Sequence, residues 1–232
     1  MHRNIDAEGK MRRLSFLGVT VIVLSLLLVS SAGAGVGVSA KAGTLGLGVD
    51  ISYPLMPRIN ARAGFNVFSF SYSTTQDDVN YDADLTLRSM DLLLDLFPIP
   101  GRGFRVSGGL LVNGNGVDLT AEPTGSYTIG STTYPASQIG TLSGNVDLGN
   151  LTPYLGIGWG NAVTDRMGFM LDIGIVFQGS PDVTLSASGP ITLLPSFQED
   201  LQQEEQSLED EIDQYKYYPV LSVGLSFSLP SI

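Results

Sequence analysis

Seven stretches of the chain alternate at period two between a bulky apolar residue and a small or polar one. In the last, "YPVLSVGLSFSL" (218–229), Pro219, Leu221, Val223, Leu225, Phe227 and Leu229 fall on one face, with Ser222, Gly224, Ser226 and Ser228 on the other. Such alternation is a β-strand with two unlike faces. The same pattern runs through 45–53, 59–67, 104–112, 151–159 and 169–177. It also runs through 81–97, where the apolar face passes from Leu85 and Leu87 to Met90, Leu92, Leu94 and Leu96. That passage, and a similar one near Phe68, predict two β-bulges.

The character of the second face decides between architectures. A soluble sandwich turns its apolar face inward and its charges to water. Here the less apolar face carries glycine, serine, asparagine and a few Asp and Arg, with hardly any lysine or glutamate. That row makes a poor water surface but suits the lumen of a narrow barrel, with the bulky face against lipid. The expected fold is all-β: an antiparallel transmembrane β-barrel, most simply of eight strands.

Connection lengths agree. The connections at 54–58, 98–102 and 160–167 are short, while 73–80, 114–145 and 178–217 are mostly long. Outer-membrane barrels have short periplasmic turns and longer external loops. Aromatic residues gather beside the short connections (Tyr53, Phe97, Phe104, Trp159, Phe169 and Phe227), which reads as an interfacial belt. Phe68, Phe70, Tyr72, Tyr81, Phe177, Tyr217 and Tyr218 stand at the opposite ends. An even strand count requires one more strand before Leu45, and "GVGVSAKA" (35–42), turning at Gly43, is the segment that can supply it. Residues 183–194 read either as a further strand or as an extension of the loop.

Arg12 and Arg13, the apolar run 14–29 and the small residues Ala32, Gly33 and Ala34 read as a secretory signal peptide, cleaved after residue 34, although Val38-Ser39-Ala40 also fits a cleavage site. The barrel domain is then 35–232, with eight bases against 21 acids. So acidic a body excludes nucleic acid as a partner. Cleavage also removes His2, the single histidine, and there is no cysteine. No ordinary general base near neutral pH and no thiolate chemistry are left, so no enzymatic activity, metal or cofactor is expected.

Charged residues on the small face call for partners away from water. Asp50, Asp91, Asp95 and Asp172 are expected to pair with Arg62, Arg88 and Arg105 across the lumen. Residues 196–216 break the β pattern: Ser196 and Glu199 suggest a capping box, and Phe197, Leu201, Leu208, Ile212 and Tyr215 form a helical stripe. The expected state is a solvated acidic helix packed by that stripe. Its acids, Glu204, Glu205, Glu209, Asp210, Glu211 and Asp213 among them, could alternatively attract divalent cations shared with lipopolysaccharide.

Together these features resemble the small bacterial outer-membrane β-barrels of the eight-stranded OmpA and OmpW type. Ser222-x-Gly224-x-x-Phe227-x-Leu229 resembles the C-terminal signal read by the barrel-assembly machinery, although Leu229 stands where an aromatic usually ends it. The resemblance implies the outer membrane of a Gram-negative bacterium. It implies outer-membrane lipid and lipopolysaccharide as surroundings, and the assembly machinery as a partner in biogenesis. The function expected is a structural or surface-interaction role. A narrow passive channel for small solutes is the alternative, and a lipid-modifying enzyme a more distant one.

Overall fold

A computed structural model describes residues 35–76, 79–148 and 150–229; the signal-peptide reading lies outside them. Eight antiparallel strands close into a barrel: β1 (Val36–Gly43), β2 (Gly46–Met56), β3 (Ile59–Gln76), β4 (Val79–Leu96), β5 (Phe104–Asn113), β10 (Leu151–Trp159), β11 (Met167–Phe177) and β13 (Tyr217–Leu229). Closure comes from β1 pairing with β13 and from β4 pairing with β5. The expected first strand is present: Val36 sits opposite Leu229 and Gly43 opposite Ser222. Ala40 lies in the middle of β1, so cleavage there would cut a wall strand in half.

Sidedness follows the alternation. Leu47, Val49, Leu155, Ile157, Ile173, Leu221, Val223 and Leu225 are exposed on the outside. Ser39, Asp50, Asn66, Ser107, Thr152, Asp172, Ser222 and Ser226 are buried inside. Where the lumen must admit large groups, glycine makes the room. A Cβ on Gly64 would lie 2.3 Å from Asp50 Oδ1 and 2.5 Å from Asp91 Oδ2.

Neither expected bulge exists. β3 and β4 pair without a register shift from Ile59–Leu96 to Gln76–Val79, and the irregularity nearby falls at Pro54–Met56 instead. The polarity of the faces inverts while the register holds. Along the outer face of β3 the order is Ile59, Ala61, Ala63, Phe65, Val67, then Ser69, Ser71, Ser73 and Thr75. On β4 it is Leu96, Leu94, Leu92, Met90, then Arg88, Thr86, Asp84 and Asp82. The medium changes from lipid to water at the paired Val67–Arg88 row, so the strands rise out of the membrane there.

Above that row the same sheet continues beyond the barrel through β4. β4 pairs with β6 (Gly116–Glu122), β6 with β9 (Leu142–Asp147), and β9 with β12 (Asp182–Ala187). Residues 182–187 are thus a strand, and the 114–145 connection is largely ordered. The inner face of this sheet is apolar, with Leu85, Val117, Leu119, Val146, Val183 and Leu185 among its residues. Its outer face carries Asp82, Asp84, Asp118, Thr120, Asn145 and Thr184. Over the inner face lie a hairpin, β7 (Ser126–Ile129) and β8 (Thr132–Pro135), the short α1 (Ala136–Ile139), a 3-10 turn (Pro190–Leu193) and α2 (Pro195–Ile212). Ile129, Ile139, Ile191, Phe197 and Leu201 form a buried cluster among them.

The expected capping box is absent. α2 begins at Pro195, with Leu194 at the N-cap making no side-chain bond, so Ser196 already lies inside the first turn. Proline suits that first turn because it has no N–H to satisfy. Phe197 and Leu201 pack inward as the stripe requires, but Tyr215 is exposed and lies in a 3-10 turn (Asp213–Lys216). Several acids point inward instead. Glu209 accepts from the Val183 N–H at 3.0 Å, Glu205 from the Leu185 N–H at 2.6 Å, and Glu204 from the Gly130 N–H at 2.9 Å. Val183 and Leu185 are two residues apart on the edge strand, and their acceptors are four apart on the helix. Four helical residues span about 6 Å and two strand residues about 6.8 Å, so the two spacings match. The helix closes an edge that would otherwise invite another strand.

Replacing both Glu205 and Glu209 with alanine should loosen this edge locally by about 1–3 kcal/mol. Amide exchange at Val183 and Leu185 is expected to quicken while the barrel amides stay protected. At the helix end, the Ser180 hydroxyl donates to Asp213 at 2.6 Å, and Lys216 lies 3.0 Å from the same carboxylate. These contacts, the Ser180 bond first, hold the Asp213 carboxyl below its ordinary range. The tie is therefore complete near neutral pH and weakens only as pH falls through that depressed value.

Candidate functional site: the lumen network

Inward side chains from β1, β2, β3, β4, β5 and β11 meet in one buried network. Arg62, 1% exposed, is its centre. Its Nε lies 3.0 Å from Asp95 Oδ2, its Nη1 and Nη2 donate to the two Asp172 oxygens at 3.1 Å each, and Asp50 Oδ2 lies 3.7 Å from Nη1. Arg105 reaches Asp172 Oδ1 at 2.8 Å and donates to the Gly160 carbonyl at 2.5 Å. Ser107 donates to Asp95 at 2.5 Å, and Ser39 to Asp50 at 3.3 Å.

The sequence reading placed Arg88 in this group, and the structure does not. Arg88 is exposed on the outer face of β4, its guanidinium 5.9 Å from the Phe65 ring centroid, while Leu87 and Ser89 turn inward. The assumed bulge was the cause, since it would have shifted the parity of this stretch. The missed cation is Lys41, with its Nζ 2.6 Å from Asp50 Oδ1 and 3.5 Å from Asp91 Oδ2. Its signal was present: in 35–42 it is the one charged residue, on the small-residue face.

Three cations thus face four aspartates. The surplus falls near Asp91, which accepts from Asn66 at 3.0 Å through Oδ2 and, among the described residues, from none through Oδ1. A cavity of about 20 Å3 adjoins Lys41, Arg62, Asp91 and Asp172, room for a single water. Above it Leu93, Leu111, Tyr154, Val176 and Val220 pack into an apolar lid, with Leu45 and Tyr218 against it. Below, the turn after β10 folds into the mouth. Asn161 accepts from Asn60 at 3.0 Å, and buried Ala162 occupies the place a Cβ on Gly37 would need. Charges, lid and turn all stand within the bore.

The belt residues divide. Trp159 and Phe104 pack as tilted rings with centroids 4.9 Å apart on the lipid face, Phe169 is 83% exposed, and Phe227 and Tyr53 also lie outward. Phe97 does not join them. It keeps the inward parity of Asp91, Leu93 and Asp95, is 6% exposed, and donates its N–H to the Arg58 carbonyl. At the outer end Phe177 and Tyr217 pair edge to face on the outside, whereas Phe68, Phe70, Tyr72, Tyr81 and Tyr218 take the inward parity. Of the residues resembling the assembly signal, Ser222 is buried, Phe227 and Leu229 are exposed, and all lie on β13 with Gly224.

Two solved structures share this architecture. Acinetobacter baumannii CarO2 aligns with a TM-score of 0.55 over 84% of this chain and 98% of its own, at 23% identity. CarO of the same organism aligns with a TM-score of 0.53 over 82% and 96%, at 26% identity. The chain is a small outer-membrane β-barrel. No protein-family model matches the sequence, and no curated protein does either. As an outer-membrane barrel, it turns its alternating strands outward to lipid. It keeps its salt-bridged lumen on the barrel axis.

Proposed function

We propose that this outer-membrane barrel is a closed structural scaffold that holds a folded β-sheet at the cell surface for interaction. The observation that carries the reading is the filled bore, with Arg62 and Arg105 bound to Asp95 and Asp172 between an apolar lid and an inserted turn. An eight-stranded barrel has an interior just wide enough for side chains to fill. The effort of construction lies above the membrane, in five paired strands, a hairpin and a helix. The lumen carboxylates are engaged by cations, which supports a structural role over a catalytic one.

The purified chain in planar bilayers is expected to give a flat current at voltages of both signs. Discrete, reproducible conductance steps that change when Arg62 is neutralised would instead establish the solute-channel alternative. Surface exposure of the upper sheet should appear as labelling of intact cells at a cysteine placed at Ser186.

A further inference from the structure

The upper sheet has two edges, and they are treated differently. The β12 edge is closed by Glu205 and Glu209 of α2. On β3, pairing with β2 stops at Val67, and the strand continues to Gln76 with β4 on one side. The Val67 carbonyl oxygen lies on the β2 side, against Gly46. Its cross-strand partner Arg88 turns its own N–H and C=O the opposite way, to Asn115 Oδ1 and the Gly114 N–H. Backbone direction alternates with period two in an antiparallel ladder. The N–H and C=O groups of Ser69, Ser71, Ser73 and Thr75 therefore point away from β4. Among the described residues no backbone group bonds to them.

An open edge of four rungs is what natural sheets avoid, using charge, proline, bulges or a cover. This one has none of those: "FSFSYSTTQ" (68–76) contains no charge, no proline and no glycine, and its register is unbroken. Its inner face presents Phe68, Phe70 and Tyr72, between 43% and 56% exposed. Its outer face presents serines whose cross-strand neighbours are Asp84 and Asp82, with Asp118 beyond.

We propose that the outer half of β3 receives an extended segment of a partner protein as an added strand. That segment alternates apolar residues, which meet Phe68, Phe70 and Tyr72, with basic or hydroxyl residues on the face of Asp82 and Asp84. Backbone hydrogen bonds to the four open rungs supply affinity, and the alternate side chains supply selectivity. A second copy of this chain fits less well, because it brings the same acids to the same face. The inference rests on reading the upper sheet as an interaction surface.

The test uses the full mature chain refolded in micelles and an end-blocked decapeptide alternating valine and lysine. At peptide about ten times its Kd, exchange at the Ser69, Ser71, Ser73 and Thr75 amides is expected to slow about ten-fold. A peptide of the same composition with the alternation scrambled should not produce this protection, and neither should one N-methylated on every second residue. Ser71→Pro and Ser73→Pro remove free-edge donors without touching the β4 ladder, so they should abolish binding while the heat-modifiable gel shift persists. Protection that the scrambled peptide reproduces, or that survives both proline variants, would overturn the proposal. So would protection without peptide in a dimeric form, which marks the edge as self-pairing. Conductance recorded on the same samples separates the two claims: steps refute the closed scaffold, whereas lost peptide binding with a flat current refutes only the docking strand.

Discussion

Replacing Arg62 with alanine is expected to cost about 3–5 kcal/mol, the penalty for leaving buried charges without their partner. Asp50, Asp95 and Asp172 would all lose the guanidinium that neutralises them, in a bore with room for a single water beside it. Urea unfolding in phospholipid vesicles, followed by the gel shift of the unboiled barrel, measures the loss. Arg105→Ala should cost less, because Asp172 keeps both of its Arg62 bonds. Adding Asp95→Asn to Arg62→Ala should restore part of the stability, since it removes one uncompensated charge while Asp172 keeps Arg105 and Asp50 keeps Lys41. A full-length barrel that tolerates Arg62→Ala without loss would mean that water enters the lumen freely.

The second large effect concerns the lipid face. One ladder row runs Trp159, Leu171, Val223, Ala42, Leu47, Val67, linking neighbouring strands around the wall. Because barrel strands tilt by about 35–45°, such a row climbs through the membrane. It starts in the aromatic belt at Trp159 and ends at the polarity boundary at Val67, which puts Val223 near mid-depth. Val223→Arg should therefore destabilise the folded barrel by about 2–4 kcal/mol. The same substitution at Ser69 shares the outward parity but lies just above the boundary. It should change stability by no more than about 0.5 kcal/mol. Two outward positions with so different a response would place the edge of the hydrocarbon at the Val67–Arg88 row.

Most of the barrel was legible because two constraints coincide in it. A strand between lipid and a packed lumen must alternate, and a narrow lumen admits glycine, serine and paired charges but few long side chains. That made the eight strands, Arg62, Arg105 and the four aspartates readable from spacing alone. The two expected bulges and the lumen placement of Arg88 share one physical origin, the assumption of a single medium along each strand. Phe68 and Leu87 look displaced only if β3 and β4 stay in lipid; once the strands enter water the apolar side turns inward at constant register. Arg88 was drawn into the lumen by that mistake, and Phe97 into the belt by a count of aromatics that ignored parity. The role of Glu205 and Glu209 was not visible, because capping an edge strand 20 and 26 residues earlier leaves no local pattern in the helix.

Which side of each strand meets hydrocarbon can be measured directly, since the chain contains no cysteine of its own. Single cysteines from Val220 to Phe227, carrying a nitroxide label in a bilayer, should report high oxygen accessibility at Leu221, Val223, Leu225 and Phe227. The alternate positions Val220, Ser222 and Ser226 should be shielded from oxygen and from a water-soluble nickel reagent. The opposite phase, with the serine positions open to aqueous nickel and the leucine positions sheltered from both probes, would contradict a lipid-facing wall.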